Sequence, residues 1–167
     1  MGVVAKAAPV ESPEALSGNL AWLLSRASYA LATELTAGLA ALGLSPRAHC
    51  VLSTAMTGEF TQTELAQSVG LDKTTMVVTI DELEAAGLAE RRPSPDDRRA
   101  RVVAVTDAGR RKVTEGREIV EGIQADVLAA LPDRERKVLV DALGRLVADR
   151  LAHPTPCSQP VRRRAPR

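Results

Sequence analysis

Aromatic residues are almost missing from this sequence: one Trp, one Tyr and one Phe make up 2% of its 167 residues. A hydrophobic core must therefore be built from Leu, Val, Ala and Ile, since the hydrophobic content of 45% is ordinary for a globular protein. A composition rich in Ala and Leu favours helices. The length suffices for one domain with a sizeable core, so we expect a mainly helical domain.

Reactive and metal-binding side chains are also few. The two cysteines, Cys50 and Cys157, lie in unrelated surroundings, which excludes a disulfide framework and favours a reducing compartment. The two histidines, His49 and His153, belong to no cluster with the spacing of metal ligands. The sequence has no P-loop, no glycine-rich dinucleotide motif and no nucleophile elbow. We therefore expect a protein that is not an enzyme and that has no metal or cofactor.

Long apolar runs are absent as well. No segment has the length of a membrane span, and the first residues lack a convincing signal-peptide core, so we expect a cytoplasmic protein without a membrane partner. A net charge of +1 argues against non-specific polyanion binding as the whole function. Segments 1–15 and 153–167 contain several prolines and are predicted to be disordered. The second is basic, either as a solvated tail or as an arm that grips DNA phosphates.

Two short helices are predicted between residues 61 and 87. Thr61 and Glu64 form a capping box that begins the first helix, and Gly70 ends it. Asp72 caps the second helix. Its inward face is predicted from three apolar residues at helical spacing: Met76, Ile80 and Leu83. A connection of about three residues between two such helices is typical of a helix-turn-helix.

A β-hairpin is predicted to follow directly. Residues 88–92 and 101–105 are strand candidates, the second because of its β-branched valines. The intervening letters PSPDDRRA combine helix and strand breakers with charge, so this tip must be exposed. Between residues 90 and 112 eight basic residues stand against four acidic ones. An exposed arginine-bearing loop beside a helix-turn-helix is suited to phosphate or minor-groove contact.

Longer helices are predicted on both sides of this stretch. Residues 16–42, 107–130 and 133–151 each carry an apolar stripe, and Pro46 begins a shorter helix capped by Ser45. Gly116 and Gly122 lie within the second long helix, where they mark either a bend or close helix packing. Pairing of 16–42 with 133–151 of a second chain would bury stripes that isolated helices leave exposed.

Several of these patterns together resemble the MarR family of winged-helix repressors. The resemblance rests on DKTT shortly before DELEAAGL, the DDRRAR hairpin tip and VTDAGR at the start of a long helix, and it extends over 16–151. It implies one domain over 16–152, in which 45–106 form a DNA-binding winged helix and 16–43 and 107–151 form a helical dimerisation region. It further implies a homodimeric repressor that binds a pseudo-palindromic operator in double-stranded DNA and is released by a small effector, for example an aromatic or phenolic molecule.

The candidate DNA-binding residues lie on the outward face of the second short helix and on the hairpin. They are Lys73, Thr74, Thr75, Val77, Val78, Arg92, Asp97, Arg98, Arg99 and Arg101. The positive end of the helix dipole favours phosphate near Lys73 and Thr74. The resemblance implies that an arginine of the tip enters the minor groove while Asp97 pairs with a neighbouring guanidinium. Arg92 and Arg101 flank the tip as phosphate contacts or ion-pair partners.

The sequence departs from the family at two adjacent DNA-reading positions. Many relatives have Ser or Thr followed by Arg where this chain has Val77 and Val78, so an arginine that reads guanine is not expected there. Specificity is instead predicted from thymine methyl contacts of Val77, from Thr75 or Thr79, and from DNA shape.

A small-molecule site is implied by the resemblance alone, between the first two helices and the long fifth one. The candidate ligand-binding residues, with Ser25 beside them, are Trp22, Arg26, Tyr29, Arg47 and His49. Core packing accounts equally well for Trp22 and Tyr29, and a position at the dimer edge accounts equally well for His49.

Two alternative functions remain open on the sequence alone. Cys50 would make the protein a redox-responsive regulator if its thiol were exposed and its pKa lowered, although a small buried core residue is the interpretation we favour. The missing arginine at Val78 leaves room for a winged helix that binds another protein rather than DNA.

Overall fold

The computed structural model describes residues 14–95 and 100–155, and this part of the chain is mainly helical with one small antiparallel hairpin. The elements are α1 (Leu20–Leu39), α2 (Pro46–Ala55), α3 (Gln62–Val69), α4 (Lys73–Ala85), β1 (Ala89–Pro93), β2 (Arg101–Val105), α5 (Asp107–Ala129) and α6 (Asp133–Ala148). The predicted fold class, helices with a β-hairpin wing, is confirmed. The described residues divide into two compact units between Ile123 and Gln124, and each is considered by itself.

The helix-turn-helix forms as its caps predict. The backbone N–H of Thr61 donates to Glu64 Oε2 at 2.7 Å, and the N–H of Glu64 donates to Thr61 Oγ1 at 3.3 Å, which completes the capping box of α3. Gly70 ends α3 with a φ of +73°, a conformation that favours glycine. Asp72 Oδ1 accepts the N–H of Thr75 at 2.9 Å and so begins α4.

The hairpin pairs from Ala89 opposite Val105 to Pro93 opposite Arg101. The second strand has the predicted bounds, whereas the first is one residue later than 88–92. Leu88 is excluded because its N–H donates to Leu83 O at 2.9 Å, which closes the end of α4. On the other side of β2, the N–H of Val103 donates to Phe60 O at 2.9 Å. The base of the hairpin is therefore fixed to the residues that begin α3.

One aliphatic core lies beneath these elements in the first unit. Its largest fully buried side chains are Leu39, Val51, Leu52, Leu65, Met76, Thr79 and Ile80. The predicted inward face of α4 is thus confirmed. The DNA contact that the sequence suggested for Thr79 is excluded. Its side chain is 1% exposed, and its hydroxyl donates to Thr75 O at 2.8 Å.

The longer helices are shorter than predicted. Helix α1 begins at Leu20 rather than residue 16, because the Asn19 side chain accepts the N–H of Trp22 at 2.9 Å and caps it there. A 3-10 turn at Glu14–Leu16 precedes it, and a second one at Ala40–Leu42 replaces its last turn. Helix α6 ends at Ala148 rather than residue 151. The predictions for 1–13 and 156–167 fall outside the described residues.

Two glycines allow α5 to pack closely against its neighbours. A Cβ at Gly116 would lie 2.6 Å from His49 Cδ2, and a Cβ at Gly38 would lie 2.8 Å from Ile123 Cδ1. At Gly122, by contrast, nothing lies within 4 Å of such an atom. Gly116 therefore marks close helix packing, which decides one of the alternatives that the sequence left open.

Helix α6, in the second unit, has many exposed apolar side chains. They are Val138, Leu139, Val140, Leu146 and Val147. In the first unit Leu20, Leu23 and Tyr29 of α1 are also exposed.

Within the described ranges no single helix has the length and apolarity to cross a membrane, although the bent pair of 20–42 and Pro46–Ala55 meets that test by length and composition alone.

Gly109 gives a direct test of this packing. A Cβ there would overlap the carbonyl oxygen of Leu88 and lie 2.8 Å from Val105 Cγ1, so Gly109→Ala must displace the backbone where α4, β2 and α5 meet. We expect it to lower the free energy of unfolding by about 1–3 kcal/mol in urea denaturation. The control Gly122→Ala, in open space on the same helix, should raise it by up to about 1 kcal/mol. Equal effects of the two substitutions would contradict this packing.

The cap of α4 predicts a pH dependence. Hydrogen bonds from the side chain and then the backbone of Thr75 hold the pKa of the Asp72 carboxyl below its ordinary value. The folded pKa is therefore lower than the unfolded one, so this stabilisation is present above the unfolded pKa and is lost as pH falls through the folded pKa. Asp72→Asn keeps a capping side chain but does not titrate. Its melting temperature should fall less than that of the wild type between about pH 6 and about pH 3. Identical losses would contradict the role of Asp72.

Candidate nucleic-acid interface

The outward face of α4 is a continuous exposed surface. Met76, Ile80 and Leu83 are buried, which leaves Lys73, Thr74, Val77 and Val78 exposed. Val77 and Val78 are 39% and 47% exposed, whereas the other apolar side chains named on α4 are buried. Such a face can enter a groove with its positive end toward phosphate and its valines toward bases.

Thr75 differs from its neighbours on this face. It is half-buried, and its hydroxyl donates to Asp72 Oδ2 at 2.6 Å while its N–H donates to Asp72 Oδ1. Its hydroxyl is therefore committed to the cap, and a base contact would have to replace or share that hydrogen bond. Lys73 and Thr74 have the freer side chains at this end of the helix.

The hairpin presents basic side chains beside α4. Arg92 and Arg101 are both exposed near its open end, and Arg92 forms an ion pair with Glu90. Arg92 thus has the ion-pair partner that the sequence allowed. Asp97, Arg98 and Arg99 lie outside the described residues.

Arg91, which was not among the predicted site residues, has the most extensive polar contacts of the hairpin residues that the structure describes. Its backbone N–H donates to Glu84 Oε1 at 2.7 Å, and its Nη1 forms a close ion pair with Glu84 Oε2. Its Nη2 donates to Asp81 Oδ1 at 2.7 Å and to Gln62 Oε1 at 3.2 Å. No sequence pattern indicated this cluster, because the partners lie 7, 10 and 29 residues away.

The predicted effector residues fall into two groups. Trp22, Ser25, Arg26 and Tyr29 line one depression of about 350 Å³ on the surface of α1. His49 lies elsewhere: its Nε2 is 3.4 Å from Val113 O, and its ring packs against Gly116. Arg47 is exposed and does not line that depression.

Cys50 is exposed, so its assignment as a small buried core residue was wrong. The sequence pattern misled because Cys50 directly precedes Val51 and Leu52, which do enter the core. Its thiol is nevertheless partly shielded from water, which raises its pKa, and a hydrogen bond with Thr54 only partly offsets that rise. A raised pKa disfavours the thiolate that reacts with oxidants. Within 14–95 and 100–155, no group of three His, Cys, Asp or Glu side chains is placed to hold a metal ion.

Comparison with known proteins gives one family. The model of the MarR family matches residues 42–100. The HTH-type transcriptional regulator YdgJ of Bacillus subtilis strain 168 is 31% identical over 88 residues, which are 53% of this chain and 54% of YdgJ. The chain thus spans about half the length of this curated relative.

Solved structures match over a larger share of the chain. CouR from Rhodococcus jostii RHA1, bound to p-coumaroyl-CoA, is 30% identical with a TM-score of 0.73, covering 87% of this chain and all of that one. A transcriptional repressor CouR bound to a 23-mer DNA duplex is 27% identical with a TM-score of 0.72, covering 84% of this chain and 99% of that one. With these relatives and a winged helix-turn-helix of this geometry, the chain belongs to the MarR family.

Proposed function

We propose that this protein is a homodimeric, sequence-specific DNA-binding transcriptional regulator, and that it is a repressor relieved by a small aromatic effector. The observation that carries the proposal is the outward face of α4, which stays exposed beside a basic hairpin. The related repressor CouR that was solved on a 23-mer duplex supports the same function.

The reading surface would recognise DNA mainly through apolar contacts. Lys73 and Thr74 would meet phosphate at the start of α4, where the helix dipole and free N–H groups favour an anion. Val77 and Val78 would lie against thymine methyl groups in the major groove. Because this face has no arginine to form a bidentate pair with guanine, we expect an operator rich in A·T pairs.

Positive charge at the hairpin supports a second contact. Arg92 and Arg101 lie at its open end, and α5 begins with three further basic residues: Arg110, Arg111 and Lys112. These side chains would neutralise phosphates and release counterions. Arg98 or Arg99 at the tip would enter the minor groove, whose negative potential is strongest in narrow A·T-rich DNA.

The exposed apolar face of α6 supports a homodimer. Five apolar side chains of α6 are exposed, and contiguous apolar patches of this kind mark interaction surfaces. A second copy would cover them and would pair two winged helices. Two reading helices placed about one helical turn of DNA apart would match a pseudo-palindromic operator.

The depression on α1 supports an aromatic effector. Trp22 and Tyr29 offer ring surfaces, and Arg26 offers a cation to a carboxylate or phosphate. The related CouR from Rhodococcus jostii RHA1 was solved with p-coumaroyl-CoA, an aromatic thioester with phosphate groups. A ligand that favours one dimer geometry over another would change the separation of the reading helices and lower operator affinity.

The two alternative functions have less support. Redox control through Cys50 is disfavoured because the pKa of this thiol is raised. A winged helix that binds another protein has one observation in its favour, the exposed pair Val77 and Val78. The salt dependence of DNA binding separates it from our proposal, since several phosphate contacts give a steep negative slope.

Replacing Arg98 and Arg99 together by Ala tests the wing. We expect operator affinity in fluorescence anisotropy to fall about ten- to hundredfold, because a groove contact and a phosphate contact are lost. The slope of log affinity against log salt should become shallower by about 1–2. The control Arg134→Ala/Arg150→Ala removes the same charge from exposed positions of the second unit and should change neither quantity. Both variants should sediment as dimers. Wild-type affinity in the wing variant would exclude the wing as a DNA contact.

Trp22 allows the effector site to be tested directly, because it is the only tryptophan of the chain. We expect p-coumaroyl-CoA or free p-coumarate to change its fluorescence and to release operator DNA over the same concentration range. Arg26→Ala should weaken both effects about tenfold, the loss of one charge-assisted contact. The control Arg134→Ala should leave both effects unchanged. Release of DNA without any change in Trp22 fluorescence would place the effector site elsewhere.

A further inference from the structure

Arg91 joins three elements of the winged helix at one point. Its guanidinium and backbone N–H both bind the carboxylate of Glu84, and its Nη2 reaches Asp81 Oδ1 at 2.7 Å and Gln62 Oε1 at 3.2 Å. Glu84 and Asp81 lie three residues apart on α4, and Gln62 is the first residue of α3. The side chain is only 26% exposed, so these charge-assisted bonds are partly shielded from water.

The position of Arg91 in β1 directs it toward α4. Side chains alternate along a strand, so Arg91 lies on the same face as Ala89, which is 3% exposed, while Glu90 and Arg92 lie on the other. Among the residues that the structure describes, Arg92 pairs with Glu90 of its own strand. Of the two adjacent arginines, Arg91 is therefore the one that links the hairpin to the reading helix.

We propose that Arg91 is a positioning residue that fixes the angle between the hairpin and α4, so that the wing and the reading helix engage one duplex in a single geometry. This inference rests on the proposed DNA-binding function. Each strand of the hairpin has five residues, or about 17 Å at about 3.3 Å per residue. A tilt of about 10° at its base would move the far end by about 3 Å, enough to withdraw a side chain from a groove.

A lysine in place of Arg91 could not make all of these contacts at once. The planar guanidinium donates in several fixed directions at once, whereas an ammonium is a single point charge on a flexible stem. Arg91 also neutralises Asp81, which is 58% exposed and lies one turn after Val77 on the DNA-facing side of α4. Its loss would therefore act in two ways, by freeing the hairpin and by leaving two carboxylates unpaired near DNA phosphates.

The role of Arg91 in orienting the hairpin relative to α4 is tested on the full-length protein without DNA. Residual dipolar couplings of the backbone N–H groups report the orientation of the hairpin relative to α4. In Arg91→Met we expect couplings of the hairpin to be reduced by averaging while those within α4 stay unchanged. Arg91→Lys, which keeps the charge and is a second variant if the first does not fold, should show an intermediate reduction. Unchanged hairpin couplings in the variants would overturn the proposal.

The effect of Arg91 on DNA binding through the wing is tested by a double-mutant cycle on operator affinity. In the wild type, Arg98→Ala/Arg99→Ala should lower operator affinity about tenfold or more. In an Arg91→Met background the same change should cost less than about threefold, because a wing that is no longer positioned contributes little. Equal costs in both backgrounds would mean that Arg91 does not act through the wing, and would overturn the proposal.

A variant that lacks the two carboxylates as well as Arg91 separates positioning from electrostatics. Arg91→Met/Asp81→Asn/Glu84→Gln removes the cluster without leaving unpaired carboxylates. In this variant, as in Arg91→Met, we expect the Arg98→Ala/Arg99→Ala change to reduce operator affinity less than it does in the wild type. Full recovery of affinity and coupling would show that Arg91 acts through charge alone and would overturn the proposal. A wild-type chain that binds no duplex would instead overturn the proposed function. The matched control Arg134→Met removes an exposed arginine from α6 and should leave affinity unchanged.

Discussion

Burial of one side of α4 is the interaction on which the rest of the winged helix depends. Met76, Ile80 and Leu83 are held in the aliphatic core together with Thr79, whose hydroxyl is satisfied within the helix. This burial fixes the rotation of α4 about its own axis. It therefore determines that Lys73, Thr74, Val77 and Val78, rather than any other set, face outward. A helix rotated by one residue would bury the carboxylates of Asp81 and Glu84 in the places of Ile80 and Leu83, at a cost of several kcal/mol.

Close packing around this helix relies on the absence of side chains at a few positions. Gly109 allows α5 to begin directly against the carbonyl of Leu88, and Gly116 admits the ring of His49 between α2 and α5. The hairpin is held on two sides, through the hydrogen bond of Val103 to Phe60 and through the contacts of Arg91. Few aromatic residues are needed in such a core, because short distances between backbones replace the volume of large side chains.

Local signals predicted the elements of the winged helix, and non-local contacts escaped prediction. The capping box of Thr61 and Glu64, the Asp72 cap and the β-branched residues of β2 act over a few residues, so the sequence alone located them. The cluster around Arg91 joins residues up to 29 positions apart, which no local pattern encodes. Thr79 was misjudged because helical periodicity gives a face only to within one residue. Cys50 was misjudged because it directly precedes the buried residues Val51 and Leu52, although it lies on the opposite side of α2.

The most direct test of DNA recognition by this protein is a titration of the wild-type protein against the DNA that precedes its own coding sequence. Binding would be measured by fluorescence anisotropy at two salt concentrations, with random duplex as competitor. A regulator that reads its operator through α4 and the hairpin should bind this DNA tightly, resist the competitor and bind less tightly as salt rises. Weak binding that is equal for both duplexes and indifferent to salt would contradict it. That result would favour a winged helix whose exposed valines bind another protein.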